Sequence, residues 1–305
     1  VVAGPWLGND RLQLASLEVP CRISQDGSQV QVSQLDMNCD VGQVNYQGTI
    51  DTADGLLASL GSEDYKLDGK LDLARLSQML PETLRVREGT KITQGDVTIQ
   101  LVSAQKSETG KWTGRIETSP LTAVSDGKQI TWDDPLLVKF DARQGDKGLL
   151  VDELRCESSF LELEAAGEPN YFSVAANYNL EKLSDELRQF FDLRDVKLSG
   201  DGWSYVNWQR NDDGTFEVDG ETQVRELVVE FPGHLPLKEA NLIALANPTG
   251  RAKSINEFTQ LATASIKADS GLDHLAVKLT SPVDDPRNAE QWPLAVEAWG
   301  QLTIF

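Results

Sequence analysis

The side chains able to do chemistry are few and scattered. His234 and His274 stand 40 residues apart, and neither has a second ligand-type residue at metal spacing, so no histidine-built metal centre is encoded locally. His234 lies between Pro232 and Pro236, a turn in which a solvated loop histidine is expected. The adjacent acidic pairs Asp133/Asp134, Asp212/Asp213 and Asp284/Asp285 have the chemistry to hold calcium or to act as acid and base. All three adjoin turn residues, where Asp is favoured because it hydrogen-bonds its own backbone. The run from Asn211 to Gly214 also lacks the alternating oxygen ligands and closing Glu of a calcium-binding EF-hand loop. No HExxH, CxxC, P-loop or GxSxG string occurs. Distant strands could still bring together carboxylates for a glycosidase or lyase, but nothing in the sequence demands it.

Cys21, Cys39 and Cys156 are too few for a disulfide framework, and an odd count leaves a thiol unpaired. A Cys21–Cys39 bridge stays open beside the plainer reading of small buried hydrophobes on strands. Trp6, Trp112, Trp132, Trp203, Trp208, Trp292 and Trp299 could make a sugar-stacking platform. Most lie in strand-like runs, so core or groove packing is the expectation.

The elements that must position these residues follow from a period of two. Leu67, Leu71 and Leu73 interleave with Asp68, Lys70 and Asp72; Val97, Ile99 and Leu101 with Thr98 and Gln100; Leu161 and Leu163 with Glu162 and Glu164; Phe216 and Val218 with Glu217 and Asp219. Each such strand has one oily and one wet face. Turn signals at Asp26 and Gly27, Glu108 to Gly110, Asp126 and Gly127, Gly145 and Asp146, and Asn211 to Gly214 have hairpin spacing. The expectation is a mostly β chain, an elongated, twisted antiparallel sheet with a few short helices. Helices are expected over 72–80, stopped by Pro81, and over 179–191, with Asn179 as N-cap. Ser254 and Glu257 form a capping-box pattern ahead of Phe258 and Leu261 that could open a third helix, although Ile266 and Ala268 fit a strand as well.

The two helical patterns expose an internal repeat. A shift of 107 carries Leu73, Leu76, Ser77 and Leu80 onto Leu180, Leu183, Ser184 and Leu187, and Tyr65 and Leu67 onto Phe172 and Val174. A shift of 119 carries Leu17, Val19, Val30, Val32, Leu35, Val44 and Gly48 onto Leu136, Val138, Leu149, Val151, Leu154, Leu163 and Gly167. The change of shift corresponds to a 12-residue insertion near 52–63 in the first copy. Gly95 and Asp96 then match Gly200 and Asp201 at 105, and Gly110 and Trp112 match Gly214 and Phe216 at 104. The expected organisation is one continuous β array over 1–305, with repeats at about 12–118 and 131–225 and a diverged third unit at about 226–305.

Composition narrows the function classes. Of 305 residues, 28 are Lys or Arg and 48 Asp or Glu, a net charge of −20. That field repels nucleic-acid phosphates and anionic lipid headgroups, and it argues against a sequence-reading nucleic-acid binder. With 40% apolar and 25% charged residues the chain has the composition of a folded protein. The oiliest uncharged run, 240–250, contains Asn, Pro and Gly and is about half a membrane span long. Residues 1–7 show no signal peptide. Ile304 and Phe305 end an alternating strand without a polar cap, which reads as a segment of a longer polypeptide.

One family shares this order of phrases. Leu17 and Val19, then Val151, Leu154, Cys156, Phe160, Leu161, Glu162, Leu163 and Gly167, then Asn179, Leu180, Leu183 and Leu187, then a strand at Gly200 and Asp201, resemble repeats of the AsmA-like and TamB-like proteins of bacterial envelopes. The resemblance spans about 12–229 and is one of pattern, without invariant catalytic residues. The family's N-terminal membrane helix is missing here. The resemblance implies a taco-like β groove, apolar inside, anchored in the inner membrane by a segment outside this chain and projecting into the periplasm. It also implies a non-enzymatic conduit for phospholipid in outer-membrane biogenesis, without cofactor or metal, its partner being acyl chains. The groove candidates are Leu67, Leu71, Val97, Ile99, Leu101, Val138, Val151, Leu161, Leu163, Phe216 and Val218. Two other classes remain open: a structural or adhesive β-repeat with a closed core and a carbohydrate-binding surface, and an enzyme on a β scaffold.

Overall fold

The structure, a computed structural model, describes residues 10–11, 13–53, 63–105, 110–134, 136–145, 148–193, 196–255, 257–271, 273–288, 290 and 292–300. Several expectations fall outside these residues: the leader reading at 1–7, Trp6, nearly all of the 52–63 insertion, Glu108, Asp146, and the chain end at Ile304 and Phe305. The chain is mostly β, and nineteen strands belong to one antiparallel sheet. The described residues hold two short helices. The chain divides into two compact units: unit 1 is Val1–Gln144, Arg155–Ser159 and Asp185–Arg194, and unit 2 is Gly145–Leu154, Phe160–Ser184 and Asp195–Phe305.

Unit 1 opens with β1 (Leu17–Glu18), β2 (Cys21–Asp26), β3 (Gln29–Cys39), β4 (Gly42–Asp51) and β5 (Tyr65–Asp72). Helix α1 (Leu73–Met79) follows without a linker, its start fixed by the Asp72 carboxylate, which accepts the Arg75 N–H at 2.9 Å. Strands β6 (Thr90–Gln94), β7 (Asp96–Ala104), β8 (Lys111–Thr118), β9 (Leu121–Ser125), β10 (Lys128–Trp132) and β11 (Leu137–Gly145) complete it. Strands β2, β3, β4, β5, β7, β8 and β11 pair in that order, each antiparallel to the next. Strands β10, β9 and β6 form a separate small sheet. Its hairpin turns on Asp126 and Gly127, both at positive φ (50° and 76°), the primed geometry that matches strand twist. Ile92, Leu121 and Ala123 of this sheet close a core with Ala74 and Phe190.

In unit 2, β12 (Gly148–Glu157), whose last three residues count to unit 1, β13 (Leu161–Glu168) and β14 (Tyr171–Asn179) lead into α2 (Leu180–Phe190), whose last six residues also count to unit 1. As expected, Asn179 caps it: Oδ1 accepts the Lys182 N–H at 2.7 Å. Then come β15 (Lys197–Arg210), β16 (Thr215–Glu230), β17 (Leu237–Ala246), β18 (Thr249–Ser254), β19 (Glu257–Thr263), β20 (Ser265–Asp269), β21 (His274–Leu279) and β22 (Leu294–Trp299). Strands β13 to β17 pair consecutively, β17 with β20, and β20, β21 and β22 in turn, while β18 and β19 branch from β16. The possible third helix at Ser254 is instead a strand pair: Ser254 faces Glu257 across β18 and β19. Phe258 there meets Trp208 and Phe216 edge-on, which holds the segment extended despite its capping-box letters.

The pairing registers obey the repeat shifts. Gly48 faces Tyr65, and Gly167 faces Phe172. Asp72 faces Asp96, and Asn179 faces Asp201. The Asp72 N–H donates to the Val41 carbonyl at 2.8 Å, and the Asn179 N–H to that of Phe160 at 2.9 Å. Those partners are themselves 119 apart and both buried. The 104 shift is off by two: Ser103 faces Trp112, but its counterpart Trp208 faces Val218. The β15–β16 hairpin carries one more residue pair, Arg210 with Phe216, beyond the point where β7 and β8 end.

Candidate functional site

The strongest patterned surfaces are two apolar sheet faces, one in each unit. In unit 1, straight cross-strand rows run over β3, β4, β5, β7, β8 and β11. One row is Met37, Val44, Gly69, Ile99, Ile116 and Val138; its neighbour is Leu35, Tyr46, Leu67, Leu101, Gly114 and Phe140. Leu71 and Val97 belong to the next row. The opposite face carries Asn45, Asp68, Gln100, Arg115 and Lys139. Leu67, Leu71, Val97, Ile99, Leu101 and Val138 therefore share one face, as their parity requires, and all six are half-buried. One end of the face is sealed by Tyr65, Trp112 and Ala142. Towards the middle Ile116 is 37% exposed. The Phe140 ring lies across Gly114, where a Cβ would fall 1.9 Å from Cε1, so only glycine admits the ring.

In unit 2, one row is Ala165, Val174, Val206, Gly220, Ala246, Ile266, Val277 and Val296, and beside it lie Leu163, Ala176, Ser204, Thr222, Ala244, Ala268, Leu275 and Ala298. Leu161 and Leu163 are half-buried while Glu162 and Glu164 are exposed. Val206, Ile266 and Val296 are 43%, 54% and 63% exposed. Val151 is half-buried on β12. Phe216 departs from the lining expected of it: at 3% exposure it sits in a closed cluster with Trp208, Ala252, Leu261 and Val283, against which Val218 also packs. Strands β18 and β19 cover it, a branch that its own alternation does not announce.

Polar chemistry on these faces is sparse. Tyr178, Ser204 and Thr222 join hydroxyls on the unit 2 face, with Tyr178 to Thr222 at 2.7 Å, Ser204 to Thr222 at 2.6 Å and Tyr178 to Ser204 at 3.1 Å. Gly202 makes room for the Tyr178 ring. Among the described residues no imidazole or carboxylate is hydrogen-bonded to these three hydroxyls. Within the acidic pairs, Asp213 accepts from the Thr215 amide and hydroxyl and Asp285 from the Arg287 amide, both local turn bonds, whereas Asp284 accepts from the side chain of Gln260. Hydrogen bonds from Thr215 hold the Asp213 carboxyl below the usual carboxylate range. Cys21, Cys39 and Cys156 are free thiols. Burial, with Glu157 second, pushes the Cys156 thiol up and away from the thiolate. Among the described residues no three His, Cys, Asp or Glu gather at metal-binding distance.

The histidines differ from each other. His234 is exposed in its turn, whereas His274 lies on β21, half-buried, with Nδ1 against Asp269 and its ring stacked on Trp299. Sequence reasoning missed this cluster because the three residues come from different strands. It also missed an open cleft of about 350 Å³ lined by Pro81, Glu82, Arg85, Val86 and Asp192. No helix of the described residues is long and apolar enough to cross a membrane. No family model, curated protein or solved structure matches the chain.

Proposed function

We propose that this chain is an AsmA-like envelope segment, built on a duplicated strand–helix–strand pattern, that binds phospholipid acyl chains non-covalently and catalyses nothing. The observation that carries the reading is the unit 1 face, a set of largely apolar rows across six strands whose members are half-buried except for the exposed Ile116. Both helices are engaged elsewhere, since Ala74 and Phe190 bury against the small β6–β9–β10 sheet. A Leu or Val left in water forgoes roughly 1.5–3 kcal/mol, and acyl chains would recover part of that. A net charge of −20 keeps such an apolar-lined body dispersed. The full-length protein is proposed to sit at the periplasmic face, with its anchor outside this segment. The closed cluster around Phe216 favours the other reading, a structural β-repeat, for that part of unit 2.

The test is lipid extraction and mass spectrometry of the purified chain, followed by photo-crosslinkable phospholipid. Co-purifying phospholipid, lowered in Val97→Glu and Leu163→Glu variants that keep the wild-type circular dichroism, is expected. A carboxylate facing acyl chains costs several kcal/mol or must protonate. Lipid-free protein that captures no probe on either face sinks the conduit and favours the structural repeat.

A further inference from the structure

The opposite face of unit 2 carries aromatic rings where alternation calls for polar residues. Outward on β15 stand Asp201, Trp203, Tyr205, Asn207 and Gln209. The Trp203 and Tyr205 rings are parallel within 7°, with centroids 6.0 Å apart, and both are half-buried rather than sealed. Trp203 is flanked across the sheet by two amides, Asn177 on β14 and Gln223 on β16. Its indole N–H donates to Gln223 Oε1 at 3.1 Å, and Gln223 Nε2 in turn donates to Asn241 Oδ1 at 2.5 Å. The Tyr205 hydroxyl reaches Asp219 at 3.3 Å and Glu221 at 3.4 Å. Side-chain hydrogen bonds on an open sheet face thus hold both rings in fixed orientations, a cost that a ligand then does not bear.

We propose that Trp203 and Tyr205, with Asn177, Gln223 and Glu221, form a saccharide-binding platform. The C–H face of a pyranose packs on an aromatic ring, and its hydroxyls both donate and accept. Amides do both as well, and carboxylates accept. A quaternary cation would also sit on the rings, but it offers no acceptor for the amide NH₂ groups flanking Trp203. The platform is independent of the acyl-chain reading, because it lies on the other face of the same strands.

Isothermal titration of the full chain with cellohexaose, chitohexaose and maltohexaose tests it, with tetramethylammonium as the cationic probe. At least one hexasaccharide should bind, with affinity about tenfold weaker in Trp203→Ala and lowered in Gln223→Leu. Trp203→Phe, which keeps a ring, should retain most of the binding, and Leu235→Ala, in the exposed segment between β16 and β17, should retain all of it. Saturation-transfer NMR on the wild type, reading sugar C–H protons against aromatic protons, decides the matter should Trp203→Ala fail to fold. No hexasaccharide binding at 10 mM (about the weakest useful range), binding indifferent to Trp203→Ala in folded protein, or binding of tetramethylammonium alone would overturn the proposal.

Discussion

Two stretches of this chain begin with the same geometry and end differently. From β4 through β5 into α1, and from β13 through β14 into α2, the register, the helix cap and the backbone bond that precedes the helix coincide under the shifts of 119 and 107. They part at equivalent glycines. At Gly95, φ 148°, the first stretch passes from β6 in the small sheet to β7 in the large one. At Gly200, φ 128°, the second stretch makes only a bulge between Ser199 and Asp201 and stays in the ladder. The partner strands mirror this. Pro120 separates β8 from β9, and a proline cannot donate to a ladder. In the corresponding place, between Arg225 and Leu227, Glu226 adopts φ 53° and β16 runs on unbroken. One hairpin thus stays whole in unit 2, whereas in unit 1 its end is a separate sheet on which Ala74 and Phe190 bury.

The comparison breaks hardest at the glycines before the second strand. A Cβ on Gly48 would fall 2.8 Å from the Tyr65 Cα, and one on Gly167 would fall 2.7 Å from the Phe172 Cα and 2.2 Å from the Tyr171 carbonyl. Gly167 adds φ 142°, which L side chains rarely adopt. Gly48→Ala and Gly167→Ala should each destabilise by about 3 kcal/mol, Gly167→Ala more, read as urea midpoints of the transition involving that unit. If one is costly and the other neutral, the two sites are not equivalent.

The helix caps give the next effect. Asp72→Ala and Asn179→Ala should each cost about 1 kcal/mol. Asn179→Ala should cost the more, because Asn179 Nδ2 also donates to Asp201 at 2.7 Å. Amide exchange at Arg75 and Lys182 reads each cap separately. A smaller gain is expected at the point of divergence: Glu226→Gly relieves a left-handed backbone and should stabilise unit 2 by up to about 1 kcal/mol. A loss there would mean that the Glu226 side chain holds the bulge.

Much of this was legible in the sequence, for physical reasons that also mark the limits. Alternation reports which face of a strand is oily, so Leu161 against Glu162 and Val97 against Gln100 fall as read. It is blind to which strand lies beside which, so Phe216 read as groove lining although β18 and β19 close over it. Caps are local, and Asp72 and Asn179 act as their letters say. The Ser254 capping box is just as local and loses to packing around Phe258. The Trp203 platform depends on cross-strand neighbours 20 to 38 residues away (Gln223 and Asn241), which no single-strand pattern reveals.

The smallest expected effect is purely pH-dependent and sharpens the contrast between hairpin ends. The β15–β16 turn is closed by Asp213, whose carboxylate accepts the Thr215 hydroxyl at 2.6 Å and its amide at 2.9 Å. The Thr215 hydroxyl bond comes first in lowering its pKa, with the Thr215 amide next. A folded pKa below the unfolded value of about 3.9 means that the unfolded state binds the proton first. The turn's stabilisation is therefore complete above about pH 4 and fades as pH falls through the lower folded pKa. Carbon-detected NMR titration of Asp213 should show a midpoint below the usual Asp range, and the Thr215 amide should begin to exchange faster in the same window. In Asp213→Asn that acid-dependent change should vanish, while neutral-pH stability shifts little because Asn still accepts through its carbonyl. An ordinary Asp midpoint, or unchanged acid response in the variant, would place the closure of this hairpin in the Arg210–Phe216 pair instead.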